Sequence, residues 1–331
     1  MVGTLTLKYC LVMKKYFLIG LLSFVGCALF FTSCNKEDEE KKQEDENAVF
    51  VSTDQQTRGV LIEELTGWGC QYCPAGHKIC DQLAEQYPGK FYSINVHCGQ
   101  YSEGKNPEYT TDEGYTLLRT LGIPSGFGFP AGYVNRRYIS VNVKDQQGKV
   151  KTISGYGMDR GLFTQLTSKF MAENAEANIA AKSTIDKATR ELKVNVQVCF
   201  TQAPKDETAT NYIINVALVQ NNIKGPQSGA ATHYPEHWDG TNYTHNHMLR
   251  ALVTGLRGDM FEYNGTGKDN VIRKTYTFTI PENMGRGNIP AVLEDMEVIC
   301  FVTNKATNTS NPEDYFPLPV LNVCKSEMSY K

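Results

Sequence analysis

A basic surplus is the first thing missing from this 331-residue chain: 33 Lys+Arg stand against 36 Asp+Glu, a formal −3. Without an excess of cations to neutralise phosphates, nucleic acid is not expected as a partner. After residue 31 no uncharged apolar stretch reaches the ~20 residues that a membrane-crossing helix needs. A glycine-rich phosphate loop, a GxSxG elbow and an HExxH motif are all missing, so no nucleotide or other cofactor is expected. There is also no second CxxC with which to complete a zinc ribbon. What is present excludes wholesale disorder, since 41% of the residues are hydrophobic and 11% aromatic. The length suggests two domains.

Charge is spread unevenly. Lys8, Lys14 and Lys15 make residues 1–34 basic, whereas residues 35–47 carry seven acids against three lysines. Met13-Lys14-Lys15-Tyr16, the uncharged run Phe17 to Phe31 and Thr32-Ser33-Cys34 read as a secretory leader that starts at Met13. The break falls on a cysteine, as in a bacterial lipobox, so Cys34 is the expected lipidation site and Cys27 the rival one. Acyl chains on Cys34 would tie the protein to a membrane at roughly 0.8 kcal/mol per buried methylene. The acidic run after Cys34 reads as a tether, and its Lys-acid start resembles a signal for export to the cell surface. The expected layout is a leader over 1–33, the lipidated cysteine and tether over 34–55, and domains over 56–176 and 177–331.

The first of those domains opens with Val60-Leu61-Ile62-Glu63-Glu64-Leu65, a strand, followed by the turn Thr66-Gly67-Trp68-Gly69. Cys70-Gln71-Tyr72-Cys73-Pro74 then begins a helical pattern that Pro88-Gly89 stops, and Phe91 to His97 is a second strand. Strand, CxxC at a helix start, helix and strand make a βαβ unit of the thioredoxin kind. A thiolate at a helix N-terminus faces unpaired amides and the positive end of the dipole, which lowers its pKa. Cys70 is therefore the candidate nucleophile, and Cys73, one turn inside, the resolving thiol. Trp68 would shield one side, and Pro130, ahead of the strand-like run Ala131 to Asn135, is the candidate cis-proline for seating a substrate. One of Glu63 and Glu64 could point inward as a proton relay; spacing does not choose between them. A structural disulfide is the competing reading for an exported protein. Cys73, His77 and Cys80 share a helix face, but one helix cannot readily wrap four ligands around a zinc ion, and no metal is assigned there. His77 is expected to be partly exposed. Seven cysteines follow Cys34, an odd number, so at least one is free or paired between molecules.

Asp112 to Leu121 and Asp159 to Ala175 carry helical spacing. From about Asn178 the period becomes two. Runs over 180–185, 192–200, 212–219, 274–280, 296–303 and 319–324 suggest an antiparallel β-sandwich, immunoglobulin-like in outline. Four of the six histidines, His233, His237, His245 and His247, lie within fifteen residues. His-x-His on a strand puts both rings on one face, so these four form a candidate ligand cluster, against the plainer reading of a packed cap.

The leader, Glu64-Leu65-Thr66-Gly67-Trp68-Gly69-Cys70-Gln71-Tyr72-Cys73-Pro74-Ala75-Gly76, the segment Phe129-Pro130 to Asn135-Arg136 and Tyr243-Thr244-His245-Asn246-His247-Met248-Leu249-Arg250 together resemble the outer membrane protein 28-related lipoproteins. The resemblance implies an outer-membrane, lipid-anchored, surface-located protein with an α/β thioredoxin-like domain followed by a β-rich domain. It places the redox pair at Cys70 and Cys73 and the proline at Pro130. Gly69 between Trp68 and Cys70 departs from the thioredoxin pattern. A thiol–disulfide oxidoreductase acting on a protein thiol or disulfide is the first expectation. A non-enzymatic binding or adhesion module with a structural CxxC bridge is the alternative.

Overall fold

The computed structural model describes residues 48–144, 147–204, 211–308 and 311–331. The leader, Cys34 and the acidic tether lie outside the described residues. In chain order the first half contains β1 (Val60–Thr66), α1 (Cys73–Gln86), β2 (Phe91–His97), α2 (Asp112–Leu121), β3 (Ala131–Val134), β4 (Ile139–Lys144), β5 (Val150–Gly155), β6 (Gly157–Asp159) and α3 (Phe163–Met171). The second half contains β7 (Ala177–Asp186), β8 (Glu191–Phe200), β9 (Asn211–Gln220), β10 (Ile223–Gly225), α4 (Ala230–His233), β11 (Tyr243–His245), β12 (Met248–Leu252) and β13 (Asp259–Glu262). It continues with β14 (Ile272–Thr279), β15 (Asn283–Met284), β16 (Ile289–Pro290), β17 (Met296–Asn308), β18 (Asn311–Lys325) and β19 (Glu327–Tyr330). Among the described residues no helix is long and apolar enough to cross a membrane.

One sheet joins the halves. Its order is β18-β17-β9-β12-β2-β1-β3-β6, with β13 also on β9, so strands from either side of residue 177 sit in the same ladder. The seam is the parallel contact of β12 with β2, where Met248 is opposite Asn95. The Asn95 backbone N–H donates to His247 O at 2.7 Å and its amide to Asn246 O at 2.8 Å. Residues 50–331 accordingly form one compact unit.

The second layer is the sheet β14-β8-β7-β19. Within it β19 runs parallel to β7, and the facing sheet includes first-half strands with parallel pairs, so neither layer is the purely antiparallel one expected of a separate second domain. The apolar alternation of β9 and β17 explains the stacking. Ile214, Val216, Leu218, Val298, Cys300 and Val302 point into the core shared with Val194, Val196 and Val198 of β8. The intervening Ala217, Val219, Ile299 and Phe301 point the other way, into the core of Leu61, Leu65, Ile94, Val96 and Leu117. Strands covered on both faces read as nearly continuous apolar runs.

α1 and α3 lie on the first half of the sheet over Val60, Ile62, Leu83, Val134, Phe163, Leu166 and Phe170. The helix expected over 159–175 is shorter than its pattern. Residues 160–162 form a 3₁₀ turn whose start is capped by Asp159 on Gly161 N–H, and Ala175 N–H turns away to Gln56 O at 2.9 Å.

Period two on β1 also separates the two acids. Glu63 shares its face with Leu61 and Leu65 and is buried against Arg136, whose Nε and Nη2 donate to its two oxygens at 2.7 and 2.6 Å. Arg136 Nη1 reaches Pro317 O at 3.0 Å and its guanidinium lies 4.9 Å from the Phe301 ring centroid. This fork fixes β18 to the start of the fold. Arg136→Ala leaves Glu63 as an unpaired buried acid and is expected to destabilise by about 3–5 kcal/mol. A urea midpoint within error of wild type would contradict that.

Candidate functional site

Cys70 and Cys73 are joined by a disulfide across the N-terminus of α1, with 5.5 Å between their Cα atoms. The turn is made by Cys70 N–H donating to Gly67 O at 2.9 Å, and Pro74 occupies the first helical turn, where its missing N–H leaves no bond unmade. Gln71 and Tyr72 between the cysteines are exposed, whereas Cys70 is 2% and Cys73 0% exposed.

A segment of the second half produces that burial. Buried Gln227 donates from Nε2 to Cys70 O at 2.9 Å, and Ser228 N–H donates to Trp68 O at 2.7 Å. Gly229 takes φ +73°, and a side chain there would collide with Gln71 O. His233 then places its ring 5.2 Å from that of Tyr72. Trp68 is half-buried on the flank; its Nε1 donates to Pro107 O at 2.8 Å and Lys105 Nζ lies 5.3 Å from its ring.

Beneath the first turn of α1 is Glu64, on the face of β1 opposite Glu63. A Cβ at Gly76 would strike Glu64 Oε1 and lie 2.9 Å from Pro130 Cγ. Gly76 is therefore the gap through which strand, helix and proline approach each other. The Phe129–Pro130 peptide is cis and Pro130 is buried. Glu64 is 0% exposed. Its Oε2 accepts from Cys80 Sγ at 3.5 Å, and its Oε1 has no hydrogen-bond partner among the described residues. Burial pushes its pKa well above the usual 4.5, against the opposing pull of the Cys80 hydrogen bond. Burial thus disfavours the charged form of Glu64.

His77, expected to be partly exposed, is buried. It bonds Thr66 Oγ1 at 2.9 Å and Tyr243 Oη at 3.0 Å, and its Nε2 is 4.0 Å from Glu64 Oε1. Burial first, then the neighbouring His245, His237 and His247, depress its pKa to about 3. Burial therefore works against charge on both Glu64 and His77.

The four histidines singled out by spacing do not meet at one point. His233 goes to Tyr72. His237 and His247 each place Nε2 3.9 Å from Asp81, which also accepts from Tyr234 Oη at 2.7 Å. His245 turns inward. The alternation behind His-x-His fails because β11 ends at His245 and His247 takes φ +52°. Among the described residues no three His, Cys, Asp or Glu side chains are arranged to hold a metal ion. His245 donates from Nε2 to Pro226 O at 3.1 Å, and burial depresses its pKa to about 4. It stacks edge-on with His97 and Tyr109, at 5.3 and 5.0 Å. Both ring nitrogens of His97 lack a partner among the described residues. Glu64, His77, Tyr243, His245 and His97 thus make a buried polar seam between the halves. Gln227, Tyr243, Asp81 and His97 had no local signal in the sequence, because each acts on residues far along the chain.

The family model for outer membrane protein Omp28 matches residues 125–328, more than half of the chain. The chain belongs to the Omp28 outer membrane protein family. The match takes in Pro130, Arg136, Gln227 and the four histidines, and starts after Cys70 and Cys73. Among solved structures, HBP35 of Porphyromonas gingivalis is similar at 20% identity and a TM-score of 0.56, over 83% of this chain and 76% of that one. At that identity the likeness is one of fold. A protein from Agrobacterium tumefaciens matches at 14% identity and a TM-score of 0.42, over 82% of this chain and 96% of its own. No curated protein matches the sequence.

The depressed pKa of His77 sets a pH dependence. Above pH 6.5 the ring is neutral folded and unfolded, and contributes nothing. Between 6.5 and about 3 only the unfolded ring takes the proton, so this term lowers stability by about 1.4 kcal/mol per pH unit on acidification. Glu64 acts in the opposite sense above 4.5, but in wild type and variant alike. The stability of wild type minus that of His77→Gln should therefore fall steadily below pH 6.5; a pH-independent difference in urea titrations would refute the assignment.

Proposed function

We propose that this Omp28-family protein is a lipid-anchored envelope protein whose Cys70–Cys73 pair is a thiol–disulfide exchange centre on a thioredoxin-like βαβ unit. The observation that carries the reading is Glu64. A bridge that only stapled two loops would need no acid buried beneath the helix that bears it, with one oxygen unpartnered. Strongly shifted acids cluster at functional sites, where they serve in proton transfer.

The chemistry follows from the placement. A substrate thiolate attacks Cys70 Sγ, the Cys70–Cys73 bond breaks, and the electron pair leaves on Cys73. A proton from Glu64 neutralises Cys73 as it leaves. A second substrate thiol then releases Cys70, completing a two-electron transfer in which the substrate is oxidised to a disulfide. The reverse sequence reduces a substrate disulfide. Pro130, packed on Gly76 in the first turn of the helix that bears Cys73, would seat an extended chain, and Trp68 would bound the flank. The segment Pro226 to Ala230 must move before a protein substrate reaches Cys70.

One observation favours the second reading, a structural bridge in a non-enzymatic binding module: the exposures of 2% and 0% at the two cysteines. Thiol alkylation and mass spectrometry in graded glutathione buffers separate the two. A potential between about −120 and −270 mV is expected for an exchange centre, with faster labelling of Cys70 in Gln227→Ala. A potential below about −300 mV, with labelling unaffected by Gln227→Ala, would establish the bridge. The anchor is tested separately. Cys34→Ala is expected to move the protein from the membrane to the soluble fraction, and protease added to intact cells to digest the wild type. Retention of the variant in the membrane would overturn the lipid anchor, and full protection of the wild type the surface location.

A further inference from the structure

Among the described residues five cysteines lie outside the Cys70–Cys73 bond: Cys80, Cys98, Cys199, Cys300 and Cys324. Cys80 is committed to Glu64, and Cys199 leans on Phe200 O at 3.8 Å. Cys300 and Cys324 differ in kind. They are direct cross-strand partners in the antiparallel β17–β18 ladder, between the regular pairs Ile299–Lys325 and Phe301–Val323. Directly opposed residues in such a ladder keep their Cα atoms about 4.5–5.5 Å apart, within the roughly 4.4–6.8 Å that a disulfide spans. Both side chains face the same way. Cys300 is part of the core between the two sheets, and half-buried Cys324 packs against that core. Burial first, and then the neighbouring Cys324, raise the pKa of the Cys300 thiol.

We propose that Cys300 and Cys324 are a second dithiol site, closed to a cross-strand disulfide by exchange with a small-molecule or protein disulfide. The more accessible Cys324 loses its proton to solvent and attacks the oxidant R–S–S–R, giving a mixed disulfide and one R–S⁻. Cys300 then gives its proton to the departing second R–S⁻ and attacks Cys324 Sγ. The sum is two thiols and R–S–S–R going to one internal disulfide and two R–SH. The bond ties β18 to β17. β18 supplies Pro317 O to Arg136, Val320 O to Arg58 Nη1, and Asn322 to Gly59 N–H and Ala177 O. Closing the site therefore secures the strand that holds the start of both halves. The proposal makes no use of a redox role for Cys70–Cys73.

The test uses the full chain, fully reduced and then exposed to oxidised glutathione, with digestion under non-reducing conditions. Mass spectrometry is expected to find the two peptides carrying Cys300 and Cys324 linked, two hydrogens lighter than their sum. Oxidation should raise Tm by several degrees in Cys70→Ser/Cys73→Ser, and Cys324→Ser should abolish both the link and the rise. Lasting glutathione on Cys324 with Cys300 free, or both thiols open to alkylation after oxidation and denaturation, would overturn the proposal. The peptide link in wild type decides the matter even if the double variant does not fold.

Discussion

The burial of Glu64 under the first turn of α1 is the constraint on which the rest of the site depends. A carboxyl placed in an apolar interior cannot stay ionised without a partner, and the nearest base, His77, is itself kept neutral by burial. The strand, the helix and the Phe129–Pro130 turn close around that acid only because position 76 is glycine. The disulfide sits on the same turn. Burial of that acid therefore disfavours a fixed negative charge beneath the disulfide.

The second half is part of this arrangement rather than an appendage. β12 enters the sheet beside β2, and the loop before it sends Gln227 to Cys70 O, Tyr243 to His77 and His245 to the ring of His97. α1 is also gripped from outside, by Tyr234 on Asp81 and by Glu236 on Lys78 at 2.8 Å. The Omp28 family match covers these gripping residues while starting downstream of the cysteine pair. The covering of the CxxC turn thus belongs to the region that defines the family.

Local elements were legible in the sequence where one signal dominated. β1, α1 and β2 fall close to their expected bounds because apolar alternation, CxxC-Pro and Pro88-Gly89 act within a few residues of one another. β8, β9 and the start of β17 were legible for the same reason. Pro130 lies against the CxxC helix because the chain must re-enter the sheet beside β1, which the Pro-strand pattern signalled. What spacing could not supply is anything set by register or by distant chain. Glu63 and Glu64 are adjacent, and only the pairing of β1 with β3 shows that both are buried, one against Arg136 and one under α1. The histidine pattern misled because one residue with positive φ, His247, breaks the alternation on which a shared face rests. Gln227 reaches Cys70 across 157 residues, and no local pattern encodes that.

The protonation of Glu64 in the oxidised protein is the decisive measurement. A carbon-13 NMR titration of the glutamate side-chain carboxyls, with Glu64→Gln to assign the signal, reads it without reference to any substrate. Burial without an ionic partner predicts that the Glu64 carboxyl titrates well above the usual 4.5. A Glu64 signal that is ionised at neutral pH and titrates near 4.5 would contradict it.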